Sequence, residues 1–270
     1  MTGSTAQRAE VFRGLHRPGD PLRLANAWDA GSARLIEGCG AAALATTSAG
    51  LAWANGYPDG DLLPTAILVR AVEAIVRVTV VPLSVDAEGG YSDDPAAVGQ
   101  TVGALIDAGA VGINIEDGSG SPDLLCDKIS AARTAAAAAG VPLFVNARTD
   151  VYLRRLVDPG RAVDETLARA ERYRAAGADG LFVPAVVAPD AIRAIVAGTD
   201  LPLNVLVYPG LPPVAELAAL GVARVSAGSG IAQAALGLAR DAATQFLAEG
   251  RYDAIAGRTM QFTELNAIFG

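Results

Sequence analysis

The chain has 270 residues, 51% of them apolar and 19% charged, with a net charge of −8 and two cysteines. That size and apolar content suit one large or two small globular domains, and an acidic balance without a basic stripe argues against a nucleic-acid or anionic-membrane partner. Cys39 and Cys126 form neither a paired metal motif nor a disulfide framework. The N-terminal segment is polar and mixed in charge, unlike a secretory signal, and no apolar stretch reaches the roughly 18 to 20 residues of a membrane span. A cytoplasmic location is the expectation.

In chain order, short β-rich runs alternate with Ala-rich amphipathic segments. The runs fall at 22–28, 42–48, 80–86, 112–116, 142–148, 180–184, 203–208 and 224–227; the helical segments at 30–38, 64–77, 95–108, 125–139, 161–176, 189–197, 212–220 and 230–249. Glycines at 109, 140, 177 and 221 supply stop signals after four of the helices. Eight such units in a chain of this length predict a single-domain α/β fold, a (β/α)₈ barrel of TIM type. A doubly wound sheet is the alternative, but it would gather its polar residues at one switch point, whereas here they recur at the same end of most strands. The segment 252–269 reads as an added helix that packs on the barrel or reaches a neighbouring subunit.

In a barrel the site lies at the carboxyl ends of the strands. Asp86 and Glu88, two residues apart on an extended chain, can face the same side, and with Glu116 from the next strand they can surround one hard cation. Mg²⁺, or Mn²⁺, suits such oxygen ligands; the same acids can instead cap helices or pair with arginine. Arg148 ends the apolar run Leu143-Phe144-Val145-Asn146-Ala147, where an unpaired guanidinium is costly. It is expected to hold a substrate carboxylate or to pair with Asp86, Glu116 or Asp150. Thr47, Ser48 and Ala49, followed by Gly50, read as a turn whose N–H groups can approach an anion. Asp59 alone reads as part of a surface turn, and Asn204 and Ser226 are polar strand ends. His16, the one histidine, reads as a surface or capping residue, which removes His-based triads and His-rich zinc sites.

Taken together, Asn26-Ala27-Trp28-Asp29-Ala30, Thr47-Ser48-Ala49-Gly50 with Gly56-Tyr57-Pro58-Asp59, Val85-Asp86-Ala87-Glu88-Gly89-Gly90-Tyr91, Asn114-Ile115-Glu116-Asp117 and Asn146-Ala147-Arg148-Thr149-Asp150 resemble the isocitrate lyase/phosphoenolpyruvate mutase superfamily over most of the chain. The resemblance implies a homodimer or homotetramer whose last barrel helix is exchanged between subunits, and a Mg²⁺-assisted enol or enolate form of a 2-oxo acid. It implies Asp86 as direct metal ligand, Glu88 and Glu116 acting directly or through water, Arg148 with Thr47, Ser48 and Ala49 on the substrate, Asp59 over the reacting group, and Asn204 lining the pocket.

Three features depart from the family pattern. The Lys-Lys/Arg-Cys-Gly-His loop of the isocitrate and methylisocitrate lyases is replaced by Glu116-Asp117-Gly118-Ser119-Gly120-Ser121-Pro122-Asp123, with Cys126 and Lys128 out of motif. Glu88 stands for a second aspartate. Phe182-Val183-Pro184-Ala185 is apolar where the family often carries a polar residue. The expected activity is therefore cleavage of a bond to the third carbon of a small 2-oxo acid, decarboxylation of an oxaloacetate-like acid fitting the missing cysteine best. The alternative is phosphoenolpyruvate/phosphonopyruvate phosphomutase or carboxyvinyl-carboxyphosphonate phosphorylmutase-like P–C chemistry. A barrel that binds a metabolite without converting it is the third reading.

Overall fold

A computed structural model describes residues 3–257 and 259–269. Among these, nine parallel strands form one sheet: β1 (Leu22–Leu24), β2 (Asn26–Ala27), β3 (Leu44–Thr46), β4 (Leu83–Asp86), β5 (Gly112–Glu116), β6 (Phe144–Arg148), β7 (Gly180–Val183), β8 (Leu203–Leu206) and β9 (Arg224–Ser226). From β2 to β9 each strand pairs with the next, and β1 pairs with β9, so segment 22–27 is one barrel strand that changes neighbour at Ala25 and closes the sheet. The eight expected runs are thus the eight barrel strands, one of them divided.

The outer layer is α2 (Ala30–Gly38), α4 (Thr65–Val78), α5 (Pro95–Asp107), α6 (Pro122–Ala139), α7 (Ala162–Ala176), α8 (Pro189–Gly198), α9 (Val214–Ala219) and α10 (Gly230–Glu249). Each corresponds to an expected helix. Gly140 and Gly177 end α6 and α7 in the left-handed conformation, which L side chains rarely adopt.

Two helices were not expected. The Ser4 hydroxyl accepts from the Gln7 N–H and the Gln7 side chain caps in return, starting α1 (Thr5–Gly14) in what composition suggested was a polar tail. Ser48–Ala54 forms α3, so Thr47 is a helix N-cap and Ser48 and Ala49 its first turn rather than a loop. The C-terminal segment also differs from the single helix expected: α11 (Asp253–Ala256) stops at Gly257, and α12 (Phe262–Ala267) follows. No described helix is long and apolar enough to cross a membrane.

Residues on one face change character along β5 and β6. Pairing sets Gly112 beside Phe144, Asn114 beside Asn146, and Glu116 beside Arg148; alternate residues share a face, so apolar, amide and charged levels follow one another. At the amino end α1 plugs the barrel. Phe12 meets Phe144 edge-on with ring centroids 5.6 Å apart, and His16 stacks on Phe144 at 4.1 Å. Gly112 makes room for the plug, since a Cβ there would lie 2.8 Å from Phe12 Cε1. His16 is therefore part of the barrel floor rather than a surface residue. Burial, then the Arg224 charge, lowers its pKa to about 3, which keeps it neutral.

Candidate active site at the carboxyl end of the barrel

Asp86 is the last residue of β4. Its N–H donates to Thr46 Oγ1 at 2.8 Å, and its Oδ2 accepts from the Ser48 N–H at 3.3 Å. Gly50 permits this approach, because a Cβ would fall 2.7 Å from Thr47 Cγ2 and 2.8 Å from Trp28 Cβ. Asp86 Oδ1 is buried and, among the described residues, has no hydrogen-bond partner. A buried anionic oxygen left unmatched is costly and is the kind of atom a cation satisfies.

Glu116 and Arg148 face each other from adjacent strands at 2.5 Å. Arg148 also grips Asp150 with two nitrogens, at 2.7 and 3.1 Å, and its guanidinium lies over the Phe182 ring at 5.8 Å. Both expected ion pairs are present, yet a guanidinium has five N–H donors, and these contacts leave one on each terminal nitrogen. Burial pushes the Glu116 pKa up to about 8, with Asp86 and Asp150 adding to the rise and Arg148 opposing it. The Arg148 pKa is raised; its own burial works the other way and is outweighed by Glu116 and Asp150. Asp150, fully enclosed, holds Arg154 as well, and its N–H donates to Asp117 Oδ1 at 2.9 Å; Arg169 and Tyr173 hold the other Asp117 oxygen.

Glu88 is placed differently from its neighbours. It is 5% exposed and left-handed, with φ +49°. The N–H groups of Gly60 and Asp61 donate to its Oε2, and the Tyr91 hydroxyl to its Oε1 at 2.8 Å. Asp61 returns the contact by accepting from the Gly89 and Tyr91 N–H groups. Asp61 and Tyr91 are left-handed too; three such non-glycine residues concentrate backbone strain in one clasp. Burial raises the Glu88 and Asp61 pKa values. Lys128, out of motif in the sequence, donates from Nζ to Gly89 O at 2.7 Å beneath the same loop.

A divalent cation fits this donor set in part. Among the described residues no three acid, histidine or cysteine side chains converge on one point. Asp86 offers a free oxygen, whereas Glu88 spends both of its oxygens on the clasp and Glu116 is paired with Arg148, so these two suit contact through water. Mg²⁺ commonly retains several waters.

Asp59 lies on the exposed loop between α3 and α4, where burial raises its pKa, Asp86 adds to the rise and Arg148 opposes it. A hydrogen bond with Ser48, which also opposes the rise, puts it on the Asp86 and Arg148 side of the site. Thr47, Ser48 and Ala49 are buried around Asp86. Asn204, by contrast, is 1% exposed in the amide level below: it accepts from Asn146 and bonds Ser226, so it supports the floor rather than the open mouth. A cavity of 290 Å³ bordered by Gly60, Glu88, Glu116, Gly118, Ser121 and Lys128 opens beside the carboxylates. Its rim, Gly118 to Ser121, carries hydroxyls and no thiol, imidazole or amine; Cys126 lies on α6 near Arg172 and Asp123. The sequence reading missed the Glu88–Asp61–Tyr91 clasp, which depends on loop conformation, and Arg224, whose signal was a charge within the apolar run Val222-Ala223-Arg224-Val225.

The fold is a parallel barrel with carboxylates and a largely buried arginine, Arg148, gathered at the carboxyl ends of its strands. Residues 12–247 match the family model for phosphoenolpyruvate phosphomutase, and the chain belongs to that family, within the phosphoenolpyruvate mutase/isocitrate lyase superfamily of lyases and mutases. An uncharacterized protein of Mycobacterium tuberculosis is 41% identical over 81% of each chain. An oxaloacetate decarboxylase of Bradyrhizobium is 32% identical over 73% of this chain and 69% of its own. A solved structure from Burkholderia cenocepacia, whose phosphonomutase name is provisional, is 44% identical over 90% and 99% of the two chains with a TM-score of 0.85. A phosphonopyruvate hydrolase solved with oxalate and Mg²⁺ shares the fold, with a TM-score of 0.83 at 24% identity over 97% and 94%.

Proposed function

We propose that the chain is a divalent-metal-dependent lyase that breaks a bond to the third carbon of a small 2-oxo acid, with decarboxylation of an oxaloacetate-like acid as its reaction. The observation that carries this reading is the unmatched Asp86 Oδ1 in the same mouth as Arg148, whose guanidinium keeps one uncommitted N–H on each terminal nitrogen. Arg148 receives the substrate carboxylate, and the Ser48 N–H and Thr46 hydroxyl hold Asp86 in register beside it. Mg²⁺ or Mn²⁺ bound at Asp86, with Glu88 and Glu116 reached through water, would supply Lewis-acid stabilisation of the oxyanion. Loss of CO₂ from the third carbon leaves its electron pair in the enolate of the shortened acid, and a proton from water completes the product. No thiol is required for that step, in keeping with the Gly118 to Ser121 rim.

Purified protein with Mg²⁺ or Mn²⁺ is expected to release CO₂ and pyruvate from oxaloacetate, to lose this activity to chelator, and to lose it in Asp86→Ala. Failure to turn over any 2-oxo acid or C–C-cleavable substrate sinks the proposal. Asp59, exposed above Asp86 and Arg148, supports a second reading in which a phosphorus centre is handled there as in the phosphomutases. Phosphorus NMR with phosphonopyruvate and phosphoenolpyruvate separates the two.

We further propose a cytoplasmic homodimer or homotetramer assembled through the C-terminal helices, which expose Leu236, Phe246, Leu247, Tyr252 and Phe262. An apolar face of that extent suits a subunit contact. Light scattering that finds a monomer excludes it.

A further inference from the structure

Arg224 on β9 is 1% exposed inside the barrel. Its Nε donates to Ser226 Oγ and its Nη2 to Asn114 Oδ1, both at 3.2 Å. Both acceptors are neutral, and Nη1 has no partner among the described residues. Two further buried polar atoms without partners, Ser84 Oγ and Asp86 Oδ1, sit two residues apart on β4. Burying a guanidinium without a carboxylate costs several kcal/mol, and well-packed apolar replacements of buried charges are often neutral or stabilising. Stability therefore does not explain this arginine. The carboxylate whose field reaches it is Asp86: burial lowers the Arg224 pKa to about 9, and Asp86 acts against that fall. From below, neutral His16 adds no competing charge. The position is also braced, because Asn114 Oδ1 accepts from Asn146 as well as from Arg224.

We infer that Arg224 is a positioning residue of the candidate site, a fixed positive charge bonded to Asn114, the residue in register with Asp86, that favours an anionic substrate at the barrel mouth and disfavours a free divalent cation there. The inference rests on the reading of that mouth as a 2-oxo acid site, and it deepens it: the cation is held more weakly than the acids alone would hold it, while the substrate anion is held more strongly. In a medium of low effective dielectric such a charge acts over several ångströms.

The test uses the full chain and two ions of opposite sign. Mn²⁺ affinity is read by electron paramagnetic resonance, and oxalate, a planar dianion, is titrated in saturating Mn²⁺. In Arg224→Met, Mn²⁺ should bind on the order of tenfold more tightly and oxalate on the order of tenfold more weakly, with an unchanged or higher melting temperature. Arg224→Lys, which keeps the charge, should restore both affinities toward wild type; Arg224→Gln carries the neutral arm where the methionine variant does not fold. A merely structural arginine would weaken both ions together and lower the melting temperature, and that outcome overturns the inference. Unchanged affinities in Arg224→Met overturn it as well, even in an active decarboxylase. Opposite shifts without turnover of any 2-oxo acid sink the proposed reaction and leave the role of Arg224 standing. A wild-type chain that binds neither ion overturns both.

Discussion

The two ends of the barrel are built from the same strands and solve opposite problems. At the amino end Phe12, His16 and Phe144 stack into a dry plug with its one titratable ring held neutral. At the carboxyl end, four residues further along β5 and β6, Glu116 and Arg148 stand at an open mouth. The plug satisfies itself by packing. The mouth leaves Asp86 Oδ1 and two Arg148 N–H groups unspent and places three left-handed non-glycine residues in one clasp between two loops. An unmatched carboxylate oxygen and local strain gather where chemistry is done, whereas the unmatched atom of the plug, His16 Nε2, sits on a ring held neutral.

Substitutions at each end should break different properties. The largest effect belongs to Arg148→Met: kcat/KM for the 2-oxo acid should fall about 10³-fold, near 4 kcal/mol of transition-state stabilisation, and lysine should restore little because a two-pronged grip is lost. The same variant leaves Glu116 and Asp150 facing each other, so chemical denaturation should show a loss of stability as well. Phe12→Ala at the plug should cost about 3 to 5 kcal/mol in equilibrium unfolding while kcat/KM of the folded fraction stays within about twofold.

His16 gives the plug a pH signature. Its folded pKa lies near 3, below the 6.5 of a free imidazole, so between those values the unfolded chain binds more protons. Stability is therefore complete above about pH 6.5 and declines as pH falls toward 3. His16→Phe should flatten that decline, moving the acid-unfolding midpoint down by about half a pH unit, measured by circular dichroism. The smallest effect is expected of Cys126→Ser: activity should change by less than about twofold, since this thiol lies outside the site; a loss beyond about tenfold would return a cysteine to the mechanism.

Much of this contrast was legible in the sequence. Periodicity located every barrel strand and outer helix, because alternation of apolar runs with Ala-rich faces is the physical cause of the layers. Asp86, Glu116 and Arg148 were found because a charge at the end of an apolar strand is anomalous wherever it occurs. Helix α1 was missed although Ser4 and Gln7 spell a capping box, since its short apolar face becomes meaningful only under the barrel. The work of Glu88 was hidden for another reason: whether its oxygens face a cation or the Gly60 and Asp61 N–H groups is decided by a left-handed turn that residue types do not specify. Arg224 was passed over in the sequence, although a charge within Val222-Ala223-Arg224-Val225 is an oddity, and became interpretable once its neighbours were known.

The rim from Gly118 to Ser121 bears on handedness. That rim itself offers no thiol or imidazole to choose the face that receives hydrogen, and a proton delivered through it by solvent would reach either side. Oxaloacetate stereospecifically labelled at its third carbon, turned over in isotopic water, should then yield pyruvate whose chiral methyl group is racemic.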